Sequence, residues 1–161
     1  MSASPSLIRV FTVDDHALLR EGIAALVNAE PDMELVAEAS DGEEAIKQFR
    51  KHRPDVTLMD LQMPNLNGTE AISRIRNEFP NAKIIVLSTY SGDVQVLRAI
   101  KAGARGYILK GHVHRELSVS YTHLDVYKRQ VFACARHGHS ESPPTVLCAR
   151  VPSGCIPEHP L

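Results

Sequence analysis

The run Val56-Thr-Leu-Met-Asp60 is apolar at nearly every position, ends in a single carboxylate, and meets a proline, Pro64, four residues later. A run of that kind suits a central strand covered on both faces, where alternation of polar and apolar residues is lost. Pro64 cannot extend such a strand, because it has no amide to give to a ladder. Asp60 is thereby delivered to the C-terminal edge of a buried strand, the place where open α/β sheets bind their ligands. A lone strand-end aspartate also serves as an ordinary turn former. What surrounds it in the rest of the chain decides between the two.

The same grammar recurs along the chain. Leu7 to Val13 is rich in β-formers and ends in Asp14-Asp15. Two adjacent carboxylates repel, so the pair points to a bound cation, with a solvated turn as the alternative. From Ala17 to Glu30, Leu19, Ile23, Leu26 and Val27 make one apolar helix face, closed by Pro31-Asp32. Met33 to Ala39 interleaves acids with apolar residues and reads as an edge strand. Asp41-Gly-Glu-Glu44 has the form of a capping box for a helix that buries Ala45, Ile46 and Phe49. The basic stretch Lys51-His-Arg-Pro54 ends that helix. After the strand to Asp60 and the loop to Gly68, Ala71, Ile72, Ile75 and Phe79 share a helix face with Arg74 and Arg76 off it. A strand from Lys83 to Leu87 ends at Ser88-Thr89, and Ser91-Gly-Asp93 can start a helix through Val94, Leu97 and Ile100, stopped by Gly103. Arg105 to Lys110 is the last clear strand, and it ends in a lysine.

Strands of about five residues alternating with helices of ten or more imply an α/β, doubly wound parallel sheet with right-handed crossovers. The ends of four strands then bring Asp14 and Asp15, Asp60, Ser88 and Lys110 to one edge. Three carboxylates suit a hard divalent cation of Mg²⁺ type. Lys110 and Ser88 suit the oxygens of a phosphoryl group in transfer. Asp60 then has the chemistry of a nucleophile that takes phosphate as an acyl phosphate, and it needs no base because a carboxylate is ionised at neutral pH. His16, beside the acids, can be a ligand or acid-base group, or simply part of the helix start. Tyr107 on an apolar strand also reads as packing.

Composition sets the outer bounds. The chain has 161 residues, 43% of them hydrophobic, which is enough for the core of one domain with a tail. A formal net charge of -1 gives no electrostatic reason to expect nucleic acid or an acidic membrane as partner. No stretch approaches a membrane span and the N-terminus lacks the features of a signal peptide, so a cytoplasmic location is expected. Cys134, Cys148 and Cys155 all lie late, so no disulfide framework holds the first part together.

The motifs Val13-Asp14-Asp15-His16, Met59-Asp60-Leu61-Gln62-Met63-Pro64 with Gly68, Leu87-Ser88-Thr89 and Gly106-Tyr107-Ile108-Leu109-Lys110 closely resemble the receiver domain of bacterial two-component response regulators. The resemblance covers residues 7–117. It implies a flavodoxin-like fold, with five strands in the order 2-1-3-4-5. It also implies Asp60 as the phospho-accepting residue, Asp15 as a direct Mg²⁺ ligand, Asp14 as a ligand through water, and the Gln62 backbone carbonyl as a further ligand. Ser88 and Lys110 match the family's phosphoryl-binding residues, and Ser88 and Tyr107 its switch pair. Gln62 and Tyr90 flank the site and are expected to govern access of water to the phosphoryl group. Val-Asp-Asp-His, Leu-Leu-Arg-Glu-Gly and Ala-Gly-Ala-Arg-Gly-Tyr-Ile-Leu-Lys are most similar to the NarL/FixJ-type subgroup, whose members usually carry a C-terminal DNA-binding domain. Such a chain is a switch and not a turnover enzyme. It takes phosphate from a sensor histidine kinase, has the option of a homodimer on phosphorylation, and regulates transcription through its full-length parent. Two rivals remain. One is a metal-dependent aspartyl-phosphate phosphohydrolase, which usually has a second acid where this chain has Gln62. The other is a receiver-like interaction module that accepts no phosphate.

After Leu117 the pattern changes. A fifth helix is expected to be incomplete or improvised, with Leu117, Tyr121 and Leu124 at helical spacing. Ser118 to Gln130 resembles a peptide that recurs in translated adaptor or vector sequence, and residues from Val131 on show no periodicity. Residues 118–161 are therefore expected to be a disordered or artefactual tail. They hold no amphipathic helix pair with a basic recognition face, so no DNA contact by this chain is expected. A zinc reading of Cys134, His137, His139, Cys148 and Cys155 fits none of the usual finger spacings.

Overall fold

A computed structural model describes residues 7–89 and 94–111. Five strands and four helices alternate: β1 (Ile8–Val13), α1 (Ala17–Asn28), β2 (Met33–Ala39), α2 (Gly42–His52), β3 (Val56–Asp60), α3 (Gly68–Glu78), β4 (Ile84–Ser88), α4 (Val94–Ala102) and β5 (Gly106–Leu109). The strands form one sheet in the order β2-β1-β3-β4-β5, parallel throughout. This is the expected topology. The expectations for Tyr90, for the helix start at Ser91–Asp93, for the fifth helix and for residues 118–161 lie outside the described residues.

Burial follows from strand position. β3 and β4 are buried at every residue, as runs without alternation should be in a sheet covered on both faces. β2, at the sheet edge, buries only its two end residues. Alternate residues divide the core into two layers. Phe11, Val13, Met59, Ile84 and Val86 pack with side chains of α2, α3 and α4. Val10, Val56, Leu58, Ile85 and Leu87 pack on the other side with Leu19, Ile23 and Val27 of α1.

Local signals set the helix ends. Asp41 accepts the Glu44 amide at 2.9 Å, and Asn67 accepts that of Glu70 at 2.9 Å. The reciprocal arm at Asp41 differs from a simple capping box: the Glu44 carboxylate takes the Ser40 amide at 2.9 Å and the Ser40 hydroxyl at 3.2 Å. It therefore ties down the end of β2 one residue further back. Gly103 ends α4 with φ of +115°, a conformation that favours glycine.

One helix face departs from the periodicity. In α4 the buried residues are Val96 and Ala99, with Ile100 partly buried against the core, while Val94 and Leu97 are about 60% exposed. An i, i+3, i+6 series drifts around a helix of 3.6 residues per turn, and Val96, Ala99 and Ile100 make the tighter seam.

The β3–α3 loop is fixed by close backbone approach. A Cβ on Gly68 would stand 2.0 Å from the Asp60 carbonyl oxygen and 2.8 Å from the Leu61 Cα, so α3 begins directly behind the end of β3. Gly106, by contrast, has open space where its Cβ would lie. We expect Gly68→Ala to cost about 1–3 kcal/mol, the usual penalty for overpacking against atoms that cannot move aside. Gly106→Ala should be neutral or stabilising by under about 1 kcal/mol. Urea melts of the two variants check the contrast, and equal midpoints would refute it.

Candidate functional site

Parallel pairing carries the acids to one edge. β1 and β3 run in step up to Val13 opposite Met59, so each strand's next residue, Asp14 and Asp60, emerges at the same level. Both side chains are almost fully buried, and Lys110, directly after β5, reaches between them. Its Nζ lies 2.8 Å from Asp14 Oδ2 and 2.9 Å from Asp60 Oδ2. Asp15 is more open and stands beside Asp14 on the way into α1. Ser88, the last residue of β4, is buried and paired in register with Leu109, the neighbour of Lys110. Asp14, Asp15, Asp60, Ser88 and Lys110 thus occupy one edge of the sheet, as their strand positions require.

The other two residues expected at the site, Gln62 and Tyr107, are also described. Gln62 donates its backbone N–H to Asp60 Oδ1 at 3.2 Å, which orients the carboxylate. Tyr107 lies within β5 opposite Val86, half-buried against the core layer of α2, α3 and α4.

The electrostatics are those of crowded anions around one cation. Burial pushes the Asp60 carboxyl above its usual range, and the neighbouring Asp14 charge pushes the same way. The hydrogen bond and charge of Lys110 and the Gln62 amide oppose this without cancelling it. For Lys110, burial works against the charge, but hydrogen bonds to Asp14 and Asp60 outweigh it and hold the ammonium above its usual range. Asp14, Asp15, His16 and Asp60 each offer a ligand atom, all within 4.8 Å of one another. Carboxylate oxygens so grouped fit a hard divalent cation.

Arg20 was not among the residues singled out from sequence. Its Nη1 donates to the Asp14 carbonyl at 2.6 Å and its Nε lies 3.8 Å from Glu38, so it clamps the β1–α1 turn to β2. His16 is tied in as well: its amide donates to Asp14 Oδ1 at 2.8 Å. A basic residue one helical turn into α1 is the only signal for that clamp, and it is indistinguishable in sequence from a solvated arginine.

Comparison with known proteins decides the family. The family model of the response regulator receiver domain matches residues 10–121, well over half of the chain. The chain belongs to the response regulator receiver family. Among relatives of the receiver, the transcriptional regulatory protein DegU of Brevibacillus brevis is 42% identical over 103 residues, 64% of this chain and 44% of DegU. LiaR of Bacillus subtilis is 45% identical over 104 residues, 65% of this chain and 49% of LiaR. The chain spans about half the length of the curated relatives it matches. In structure, the receiver is similar to the response regulator domain of Thermotoga maritima CheB, with a TM-score of 0.71 and 32% identity over 83% of this chain and 99% of that one. It is also similar to the receiver domain of a NarL response regulator from Mycobacterium tuberculosis, with a TM-score of 0.68 and 28% identity over 83% and 100% of the two chains. Among the described residues, no helix is long and apolar enough to cross a membrane.

The raised pKa of Asp60 makes a prediction for this receiver in the presence of chelator. A carboxyl whose folded-state value lies above its reference of 3.8 binds its proton more tightly when folded. Ionised Asp60 therefore costs stability, and the cost grows as pH rises from that reference through the folded value and is complete above it. Asp60→Asn should then be more stable than the parent at neutral pH by about 1 kcal/mol, the lower end of what an incompletely satisfied buried group costs. That gap should close in acid. Urea melts of both proteins from pH 4 to pH 8 test it, and a gap that stayed constant or widened in acid would show the assignment of the strain to Asp60 to be wrong.

Proposed function

We propose that residues 7–117 act as a phospho-accepting switch, with Asp60 taking a phosphoryl group from a sensor histidine kinase. The observation that carries the reading is the buried Asp60 carboxylate, held 2.9 Å from the Lys110 ammonium with the Asp14 and Asp15 carboxylates beside it. In the transfer, an Asp60 oxygen attacks phosphorus and the bond from phosphorus to the donor histidine nitrogen breaks. The imidazole leaves and an acyl phosphate remains on Asp60.

Each neighbour has a task in this reading. Lys110 balances charge on the incoming phosphoryl oxygens, and the Ser88 hydroxyl donates to one of them. Asp15, Asp14 through water, Asp60 and the Gln62 carbonyl would hold Mg²⁺. When bound, that ion supplies charge neutralisation between anionic attacker and anionic donor. Asp60 needs no general base, and the chain ends in a modified state instead of turning over substrate, so it is a switch and not an enzyme. Gln62, where a phosphohydrolase usually has a second acid, weighs against hydrolysis as the main activity.

Phosphate on Asp60 draws Ser88 toward it, and Tyr107 turns into the space this leaves, biasing the surface of α4 and β5 between two states. The output is regulation of transcription by the full-length protein, by way of a homodimer formed on phosphorylation. The relatives named as transcriptional regulators support that assignment.

With Mg²⁺ and acetyl phosphate, the chain should gain one acid-stable, hydroxylamine-labile phosphate. Asp60→Asn should reduce its incorporation at least a hundredfold while the fold survives, as followed by intact mass and circular dichroism. Label retained in that variant would refute Asp60 as the acceptor. Ser88→Ala should still be phosphorylated, yet amide shifts around Tyr107 should change by less than half as much as in the parent. Shifts of full size would show that Ser88 does not couple the two.

A further inference from the structure

The turn that delivers Asp14 and Asp15 lacks the anchor found at two other helix starts. Asp41 and Asn67 cap α2 and α3 with their side chains, whereas His16, at the N-cap of α1, makes no side-chain cap. The two acids of that turn are held very unequally. The Asp14 carboxylate is buried, and meets the Lys110 ammonium with Oδ2 and the His16 amide with Oδ1. The Asp15 carboxylate is 34% exposed and meets the His16 ring at 2.9 Å, a ring that is itself 70% exposed. Exposed pairs of that kind contribute little and leave both partners free to turn. The direction of Asp15 is therefore set by its backbone.

Arg20 acts on that backbone. The pairing of β1 ends at Val13, and the Asp14 amide still reaches the Ala39 carbonyl at 3.1 Å. The Asp14 carbonyl lies beyond the ladder, and the Arg20 guanidinium donates to it through Nη1 at 2.6 Å. That carbonyl belongs to the planar peptide between Asp14 and Asp15, so holding its oxygen fixes the plane from which Asp15 departs. A charged donor makes such a bond roughly twice as strong as a neutral one. The same guanidinium leans on β2 through Nε, 3.8 Å from Glu38, which ties the peptide to the sheet and not to the helix alone.

We infer that Arg20 is a positioning residue for the proposed phosphoryl transfer, holding the peptide between Asp14 and Asp15 so that the Asp15 carboxylate is aimed as a ligand before an ion arrives. The inference rests on the reading of Asp15 as a Mg²⁺ ligand. Two effects of the guanidinium oppose each other: its charge repels a divalent cation, and its hydrogen bond orients a ligand. Glu38 beside it offsets most of that charge at a distance. Groups that orient a metal ligand, by contrast, are typically worth about 10- to 100-fold in affinity. Orientation wins, so removing Arg20 weakens the site.

The test follows amide shifts of the full chain during Mg²⁺ titrations of the parent, Arg20→Met, Arg20→Lys and Asp15→Asn, and of each Arg20 variant combined with Asp15→Asn. Met keeps the aliphatic bulk but cannot donate, and Lys keeps the charge but not the forked donors. In metal-free protein, Arg20→Met should move the Asp15 amide nitrogen, whose peptide has lost its donor. Mg²⁺ affinity should fall about tenfold in Arg20→Met and by less in Arg20→Lys. With Asp15→Asn in place, either Arg20 change should alter affinity by less than about twofold, since an effect carried by Asp15 disappears with it. The Arg20→Lys arm keeps the comparison decisive should Arg20→Met not fold. Losses of equal size in both backgrounds, or Arg20 variants that bind Mg²⁺ as tightly as the parent or more tightly, overturn the inference and leave the phosphoryl-transfer reading standing. If Mg²⁺ leaves the Asp14, Asp15 and Asp60 amides of the parent unmoved, the cation reading itself fails, and the inference with it.

Discussion

Lys110 joins two buried carboxylates that would otherwise repel across a strand boundary, with its Nζ 2.8 Å from one and 2.9 Å from the other. Every other feature of the site depends on that bridge. Asp14 and Asp60 emerge at the same level of adjacent parallel strands, in a place where solvent cannot screen them. Burying two such charges is tolerable only when a countercharge and further hydrogen bonds share the load. The bridge also joins the ends of β1 and β3 to β5, which is three strand positions from β1 and two from β3. Strand order and charge balance are therefore one constraint: a different order would leave the lysine out of reach.

The sheet supplies the rigidity that this arrangement needs. β3 and β4 are buried throughout and carry Asp60 and Ser88 at their ends, so neither residue rides on a flexible loop. The turn after β3 is held by backbone contact. The Gly42 amide donates to the Leu66 carbonyl at 3.2 Å, and the Gly68 amide to the Leu61 carbonyl at 3.1 Å. Both glycines sit where a Cβ would strike backbone or Leu66 atoms. The far side of the sheet has its own tether, in which Arg50 and Glu78 link α2 to α3 and the Arg53 guanidinium lies 3.8 Å above the Phe79 ring. Those contacts brace the end of the domain opposite to the acids.

Much of this was legible in sequence because each signal was local and strong. Unbroken apolar runs gave the central strands, acids interleaved in Met33–Ala39 gave the edge, and the residue after each run gave the site. Asp14, Asp60, Ser88 and Lys110 meet because parallel strands align their ends, so knowing the strand ends was enough to gather the residues. Details set by tertiary contacts were less legible. The face of α4 came out rotated, because Val94 and Leu97 look as apolar as Val96 and Ala99 until the neighbouring α3 chooses between them. The Ser40 partner of Glu44, the Arg20 clamp and the orientation of the His16 ring all depend on turn geometry that residue type does not encode.

The properties of Asp60 show why such a site is built at a cost to stability. A carboxylate buried among other anions is held above its usual pKa, which makes its oxygens more basic and so more nucleophilic than those of a solvated acid. The same burial disfavours the ionised form that the proposed transfer needs. Lys110 and the Gln62 amide oppose that penalty from two directions. Their help is incomplete, since the pKa remains raised. The residual repulsion is what a divalent cation, and then a phosphoryl group with oxygens for Lys110 and Ser88, would relieve. In the proposed cycle the site is least comfortable when empty, and each binding step lowers the electrostatic cost left by the one before.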